Sequence, residues 1–435
     1  MKNELIKICV VSLGCDKNRV DTENMLYKLS ENLNCSLTND YFDADVIIIN
    51  TCAFIEAARK EAIETILEAA EYKKHNLKKL IVTGCLPQKY LEEIKDELPE
   101  VDAFLGIADY DKIAEAVLSQ DRFFAVEYRD AESEKRILST NDYAYLKIAD
   151  GCNNHCTFCT IPKIRGAYRS RNIDSLVNEA ESLIEKGTKE LILVAQDITK
   201  YGVDNYGKKC LINLINRLSA TDIELIRLMY CYPEDVDDEL IDVIANNPKV
   251  AKYVDVPIQH VSDNVLRAMN RKSDNKTIVN LFEKLNQKGI AIRTTFMVGF
   301  PGESEDDFEQ LCQFAIKYKP LNAGVFAYSK EKESSSYKMK GHLPYALKQK
   351  RKKILSEILY KNTVSTNQNF VGKTLRVLYE GIDYYKKCFF GRSEFQAPDV
   401  DGKVYFSGEY ADAGHYYDVE ITSFKGYDLV GKIKY

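Results

Sequence analysis

Tyr145-Leu-Lys-Ile-Ala149-Asp-Gly151-Cys152-Asn-Asn-His-Cys156-Thr-Phe-Cys159 is the stretch on which the reading of this chain turns. The apolar run Tyr145–Ala149 predicts a strand, and three cysteines spaced C-x3-C-x2-C follow it directly after a glycine. Downstream, apolar runs at Leu191–Ala195, Leu225–Leu228, Tyr253–Val256, Ala291–Val298 and Ala323–Tyr328 alternate with helical segments such as Ile173–Lys186, Asn264–Met269 and Thr277–Lys288. Six such βα units predict a partial β/α barrel, a fold that carries its chemistry at the carboxyl ends of the strands. The cysteine loop leaves that end of the first strand.

Three thiolates this close in sequence can bind three corners of a [4Fe–4S] cube and leave the fourth iron open. An open iron can chelate the amino and carboxylate groups of S-adenosylmethionine, whose one-electron cleavage yields a 5′-deoxyadenosyl radical. A zinc site would require a fourth ligand, and His155 lies too close within the run to supply a usual second pair.

Upstream, the first ~125 residues alternate strands (Ile6–Leu13, Val46–Ile49, Leu80–Val82) with helices (Thr22–Leu33, Ala53–Tyr72), the pattern of a parallel α/β sheet. Cys15, Cys52 and Cys85 each fall just past the carboxyl end of one of those strands, the edge at which such sheets bind ligands. One such cysteine reads as core filler. Three equivalent placements read as a second cluster site with an open iron. Cys9, Cys35, Cys210, Cys231, Cys312 and Cys388 share no pattern and read as structural.

The 435 residues and the 45% apolar, 29% charged composition fit a multidomain globular chain. Its net charge of −6 advertises no global grip on nucleic acid. No uncharged apolar run approaches the ~20 residues of a membrane-spanning helix. Twelve cysteines are too sparse for a disulfide scaffold, so reduced thiols and a cytoplasmic location are expected. Ser12-Leu-Gly-Cys15 superficially resembles an export cleavage site, but Glu4 and Lys7 break the apolar stretch before it.

The polar stretch Arg129–Asp142 reads as a linker, and Tyr345–Tyr360 as a basic helix. From Phe370 onward, short Tyr/Phe/Val-rich strands broken by glycines predict a small all-β barrel or sandwich. The expected domains are therefore 1–128, 138–368 and 370–435. Phe158, Gln196, Asp197 and Arg293 are candidate contacts to S-adenosylmethionine, although Gln196, Asp197 and Arg293 equally suit a satisfied barrel interior. Gly299-Phe-Pro-Gly302-Glu303 reads either as a nucleotide loop or as a strand-to-helix turn. The run Lys348–Lys353 reads as a solvated helix face.

Six cysteines in this order, with an α/β domain, a radical-SAM barrel and a terminal β module, resemble the radical-SAM methylthiotransferases. The resemblance covers essentially the whole chain. It implies that Cys152, Cys156 and Cys159 hold the radical-SAM [4Fe–4S] cluster and that Cys15, Cys52 and Cys85 hold an auxiliary [4Fe–4S] cluster serving sulfur delivery. S-adenosylmethionine would act both as methyl donor and as radical source, with an external electron donor and a sulfur source. The family divides between tRNA adenosines and an aspartate of small-subunit ribosomal protein S12. Ser12–Asn18 with Val20–Glu23, Val194–Gly202, Pro257–Asp263, Arg293–Glu303 and Gly391–Asp399 are similar to the ribosomal-protein branch, while Ile198 and Lys330–Glu333 depart from it. The terminal module, called TRAM in this family, carries nine Lys/Arg and ten Asp/Glu from Phe370 to Tyr435. That balance suits a basic protein target better than RNA, which calls for surplus positive charge. The expected partner is thus S12 or the small ribosomal subunit, with no membrane partner and no nucleic-acid substrate. The alternatives are a tRNA adenosine methylthiotransferase and a non-catalytic iron–sulfur protein that binds ribosomes.

Overall fold

The computed structural model describes residues 5–126, 135–140 and 142–435, in two compact units. One comprises Met1–Ser139, Asp150–Asn153 and Cys159–Ser182; the other comprises Thr140–Ala149, Asn154–Phe158 and Leu183–Tyr435.

The first unit is built on a parallel sheet of β1 (Ile6–Ser12), β2 (Cys35–Leu37), β3 (Val46–Thr51), β4 (Lys79–Gly84), β5 (Ala103–Leu105) and β6 (Phe123–Ala125), in the order β2-β1-β3-β4-β5-β6. Alternate residues feed two cores. Ile47, Ile49, Leu80, Val82 and Phe104 pack on one face, and Ile8, Ile48, Ile81 and Leu105 pack on the other with Met25 and Leu29. A sheet covered on both faces explains why its central strands read as unbroken apolar runs. Helix α1 (Asp16–Asn32) starts six residues before the expected Thr22. Its first turn is polar in sequence yet buried: Lys17 pairs with Asp16 at 3.0 Å, and Asn18 is fully enclosed. Helices α2 (Glu56–Ala70), α3 (Cys85–Ile94), α4 (Ile113–Leu118) and α5 (Ile161–Arg165) also belong to this unit.

Half of the expected linker Arg129–Asp142, residues 129–134 and 141, lies outside the described residues. The described part is no solvated spacer, because Arg136 is buried between Glu23 (2.6 Å) and Glu179 (2.9 Å).

The second unit carries six parallel strands in sequential order: β7 (Tyr143–Lys147), then, beyond the short strands β8 (Ala149–Asp150) and β9 (Arg169–Ser170), β10 (Glu190–Val194), β11 (Leu225–Leu228), β12 (Val250–Asp255), β13 (Ala291–Val298) and β14 (Asn322–Ala327). This is the expected partial barrel. Strands β15 (Thr374–Asp383), β16 (Cys388–Ser393), β17 (Val404–Ser407), β18 (Tyr416–Lys425) and β19 (Asp428–Ile433) close the expected small barrel. The basic helix runs longer than expected, over Tyr345–Asn367. No helix among the described residues is long and apolar enough to cross a membrane.

Residues 392–401, which end β16 and lead to β17, plug the amino-terminal half of the large barrel. Glu190 accepts from Arg227 Nε at 2.6 Å and pairs with Arg392 Nη2 at 2.8 Å. Arg227 Nη1 also donates to the Glu394 carbonyl at 2.7 Å, and the Arg392 guanidinium lies over the Tyr143 ring at 4.8 Å. Tyr253 Oη donates to Asp401 at 2.6 Å. Arg293 belongs to this layer, with Nη1 2.9 Å from Asp255 and Nε 3.3 Å from Asp401. The interior reading therefore displaces the cofactor reading of Arg293, since two carboxylates engage its guanidinium.

His260 is fully buried in the second unit, where its Nδ1 accepts from the Ser262 amide at 3.0 Å. Burial pushes its pKa down to about 3; Asp307 opposes the shift and Arg351 reinforces it. The folded ring stays neutral, while the unfolded chain takes up a proton below its ordinary value of 6.5. The unfolded state then binds the extra proton, so stability falls as the pH drops through that value. Between about pH 8 and pH 5.5 this ring should cost about 1.4 kcal/mol. Urea melts at both pH values should show His260→Asn losing that part of the slope.

Candidate functional site

In the first unit the three dispersed cysteines lie at the carboxyl edge of the sheet. Cys15 caps α1, Cys52 follows β3, and Cys85 opens α3. Two of them therefore sit at helix amino termini, Cys15 as the residue before α1 and Cys85 as the first residue of α3. Gly14 has φ +95°, and a Cβ there would stand 2.7 Å from Cys52 Cβ and 3.2 Å from its sulfur. The loop bearing Cys15 can approach Cys52 only because residue 14 is glycine.

Asn18, from the buried first turn of α1, ties the three loops together. Its Nδ2 donates to the carbonyls of Leu13 (3.1 Å) and Thr51 (2.9 Å), and its Oδ1 lies 3.7 Å from the Cys85 sulfur. Asn50 Nδ2 in turn donates to the Asn18 carbonyl at 2.8 Å, and Thr51 Oγ1 to the Thr83 carbonyl at 2.7 Å. Burial raises the Cys52 thiol and pushes the Cys85 thiol up to about 12, and the neighbouring cysteines raise both further; Arg165 pulls both back. A buried, mutually repelling set of thiols of this kind is relieved by a cation that takes the thiolates. No three metal-binding side chains among the described residues are grouped as for one metal ion. A cube spreads its ligands over separate irons, and none of the twelve cysteines is in a disulfide.

The C-x3-C-x2-C loop is divided between the units, with Cys152 and Cys159 in the first and Cys156 in the second. In the first, Gly151 has φ +79° and a Cβ there would stand 2.1 Å from the Ala167 carbonyl oxygen, so only glycine lets the loop start. The Cys152 amide donates to the Gly166 carbonyl at 3.1 Å, and the Cys159 sulfur accepts from the Ile161 amide at 3.4 Å. In the second, the end of the helix Asp263–Ala268 clamps the middle of the loop. Thr157 donates through its amide to the Met269 carbonyl (3.0 Å) and through Oγ1 to the Ala268 carbonyl (2.9 Å), while Asn270 Nδ2 donates to the His155 carbonyl (3.0 Å). Two side chains attend the Cys156 sulfur: Tyr232 Oη shares a hydrogen bond with it at 3.8 Å and Arg271 Nη1 donates to it at 3.9 Å, with the guanidinium stacked 4.2 Å over the Tyr232 ring.

The other expected contacts divide. Asp197 is buried just past β10, accepts from Asn154 Nδ2 of the cysteine loop at 2.8 Å and from Thr199, and is raised by burial. It orients the loop. Gln196 lies two residues past the end of β10. Phe158 packs against an apolar cluster of Val265, Met269, Phe300 and Tyr328.

The Gly299–Glu303 segment is a turn held from within. The amides of Gly299 (2.6 Å) and Phe300 (3.1 Å) donate to Glu303 Oε2, and Arg351 donates to Oε1 at 2.7 Å. Ser304 and Asp307 then form a capping box at the start of the following helix. This corrects part of the reading of Lys348–Lys353 as a solvated face: Lys350, Lys352 and Lys353 are exposed, but two members of the run turn inward. Arg351 is buried against Glu303, and Lys348 Nζ donates to the Tyr328 carbonyl at 2.9 Å.

Sequence reasoning missed Asn18, Asn154, Arg165, Tyr232 and Arg271. Proximity to a cysteine run marked Asn18, Asn154 and Arg165, but nothing local marked Tyr232 or Arg271.

Three family models match the chain: "Uncharacterized protein family UPF0004" over residues 7–106, "Radical SAM superfamily" over 146–315 and "TRAM domain" over 371–433. The chain is 45% identical over 442 residues to "Ribosomal protein uS12 methylthiotransferase RimO" of Clostridium botulinum (strain Hall), covering 99% of this chain and 98% of that protein. The protein of the same name from Lachnoclostridium phytofermentans is 47% identical over 438 residues, covering 98% and 99% respectively. Among solved structures, the radical S-adenosylmethionine methyltransferase TsrM from Kitasatospora setae, with cobalamin and a [4Fe-4S] cluster bound, matches with a TM-score of 0.56 at 14% identity over 75% of each chain, a likeness of fold.

Proposed function

The chain belongs to the RimO family of ribosomal protein uS12 methylthiotransferases, and from that premise we propose that it replaces a hydrogen on the β-carbon of an aspartate of uS12 by a methylthio group. The observation that carries the reading is the pair of cysteine triads, one following the first barrel strand and one on the carboxyl edge of the amino-terminal sheet, in a chain alike to these enzymes over its whole length. Cys152, Cys156 and Cys159 hold the radical-SAM [4Fe–4S] cluster, and Cys15, Cys52 and Cys85 hold the auxiliary one. When bound, the clusters and S-adenosylmethionine supply the one-electron cleavage that makes a carbon radical and the methylated sulfur that is transferred.

The protein's own part is to hold and orient. Asp197 and Asn154 fix the cysteine loop, Arg271 and Tyr232 attend the Cys156 sulfur, and Asn18 sets the spacing of the second triad. Phe158 and Gln196 remain the candidates beside the nucleoside. The segments 1–128, 138–368 and 370–435 serve sulfur delivery, radical initiation and substrate docking. The near-neutral terminal module favours a protein substrate over tRNA. The reaction requires a one-electron donor and a sulfur source from outside, and a cytoplasmic location accords with a ribosomal substrate.

Anaerobically reconstituted protein, given a uS12 loop peptide and bulk tRNA side by side, should add SCH3 to the peptide alone by mass spectrometry. Product on tRNA instead would overturn the substrate assignment. In the same assay Cys52→Ala should lose thiolation while keeping most cleavage of S-adenosylmethionine, with iron falling from about eight to about four atoms per chain.

A further inference from the structure

We propose that Arg165, held by Asn18, is a positioning residue that supplies the fixed positive charge of the Cys15/Cys52/Cys85 site and so sets the reduction potential of the cluster bound there. The inference rests on the reading of that triad as a cluster site. Arg165 ends the short helix α5, six residues past Cys159, and its side chain is 1% exposed. Its Nη2 donates to Asn18 Oδ1 at 2.6 Å and lies 3.3 Å from Asp21 and 3.9 Å from the Cys85 sulfur. Its Nη1 grips both oxygens of Asp150, at 2.8 and 3.1 Å. The guanidinium is thus locked in place and directed at the most deeply buried of the three sulfurs.

Asp150 and Asp21 compensate the burial of the guanidinium, and hydrogen bonds to the sulfurs together with net local charge are what tune an iron–sulfur potential. Reduction adds a negative charge to the cluster, so a nearby cation favours the reduced form. Removing the cation should lower the midpoint. A purely structural arginine, once replaced, would change loading or stability and leave the midpoint of the loaded fraction where it was.

The test is an EPR-monitored redox titration of the auxiliary cluster in full-length, reconstituted protein, with iron analysis of each sample. Arg165→Gln and Arg165→Met should move the midpoint to more negative potential by a tenfold or larger change in the reduced fraction, about 59 mV for a one-electron couple. Arg165→Lys, which keeps the charge, should stay close to wild type even if Gln or Met fails to fold. An unchanged midpoint in loaded Gln or Met protein overturns the inference, as does a Lys variant that shifts by the tenfold expected of Gln. Wild-type protein that binds only about four irons would instead overturn the cluster reading beneath it.

Discussion

Cys156→Ala should abolish both 5′-deoxyadenosine formation and methylthiolation, with turnover falling at least about a thousandfold and iron dropping from about eight to about four atoms per chain. The Cys156 sulfur lies within hydrogen-bonding reach of two side chains, Tyr232 and Arg271. Arg271 is itself buried, with Nη2 donating to the Pro257 carbonyl at 2.9 Å. On the proposed reading, alanine therefore removes one iron ligand and also the sulfur toward which a buried guanidinium is directed. An unactivated C–H bond offers no other route to substitution once radical initiation is lost. The control is Cys312→Ala, which changes a buried cysteine outside both triads and should keep full iron and product. Liquid chromatography with mass spectrometry reads both products, and methylthiolated peptide from Cys156→Ala would remove the mechanism.

The second large effect concerns stability. Glu190→Ala should destabilise the second unit by about 3–5 kcal/mol, the usual cost of stripping one partner from a buried ion network. Glu190 is 1% exposed, its carboxyl is held below the ordinary carboxylate range by Arg227 and Arg392 against the opposing cost of burial, and both arginines are enclosed with it. Without it, two guanidinium groups stay buried with less compensation. By contrast, Lys284→Ala, which breaks an exposed pair with Asp238, should cost no more than about 1 kcal/mol. Chemical denaturation of the two variants in parallel checks the ratio; a loss under about 1 kcal/mol for Glu190→Ala would mean that the network is not what joins the two barrels.

Legibility from sequence followed the range of the forces involved. Leu225–Leu228 and Ala291–Val298 were readable to the residue because each run is short, rich in strand-forming side chains and bounded on one side by a clear break, Glu224 before the first and Gly299 after the second. Strands β2, β5 and β6 were missed because each has only three residues, too few for a period to register. The start of α1 was missed because Asp16, Lys17 and Asn18 look like loop residues until their tertiary partners are known. The six cysteines announced themselves by spacing and by place after strands. The arginines did not: Arg136, Arg165 and Arg271 drew no reading, Arg293 stood between a cofactor contact and the barrel interior, and Arg351 fell in an expected solvated face, yet each is paired within its unit by a partner dozens of residues away or by a sulfur. A local pattern carries no information about such a partner.

The plug at the foot of the large barrel bears on how this protein can be rebuilt. Arg392, Glu394, Phe395 and Asp401 belong to the terminal module in sequence but complete the interior of the neighbouring barrel. A chimaera that exchanges the whole module with that of a relative would transplant a piece of its host's foundation along with the surface under study. Grafts meant to retarget the enzyme should therefore keep residues 392–401 native and exchange only the hairpin tip at 383–387, where Tyr384 and Tyr385 stand in solvent.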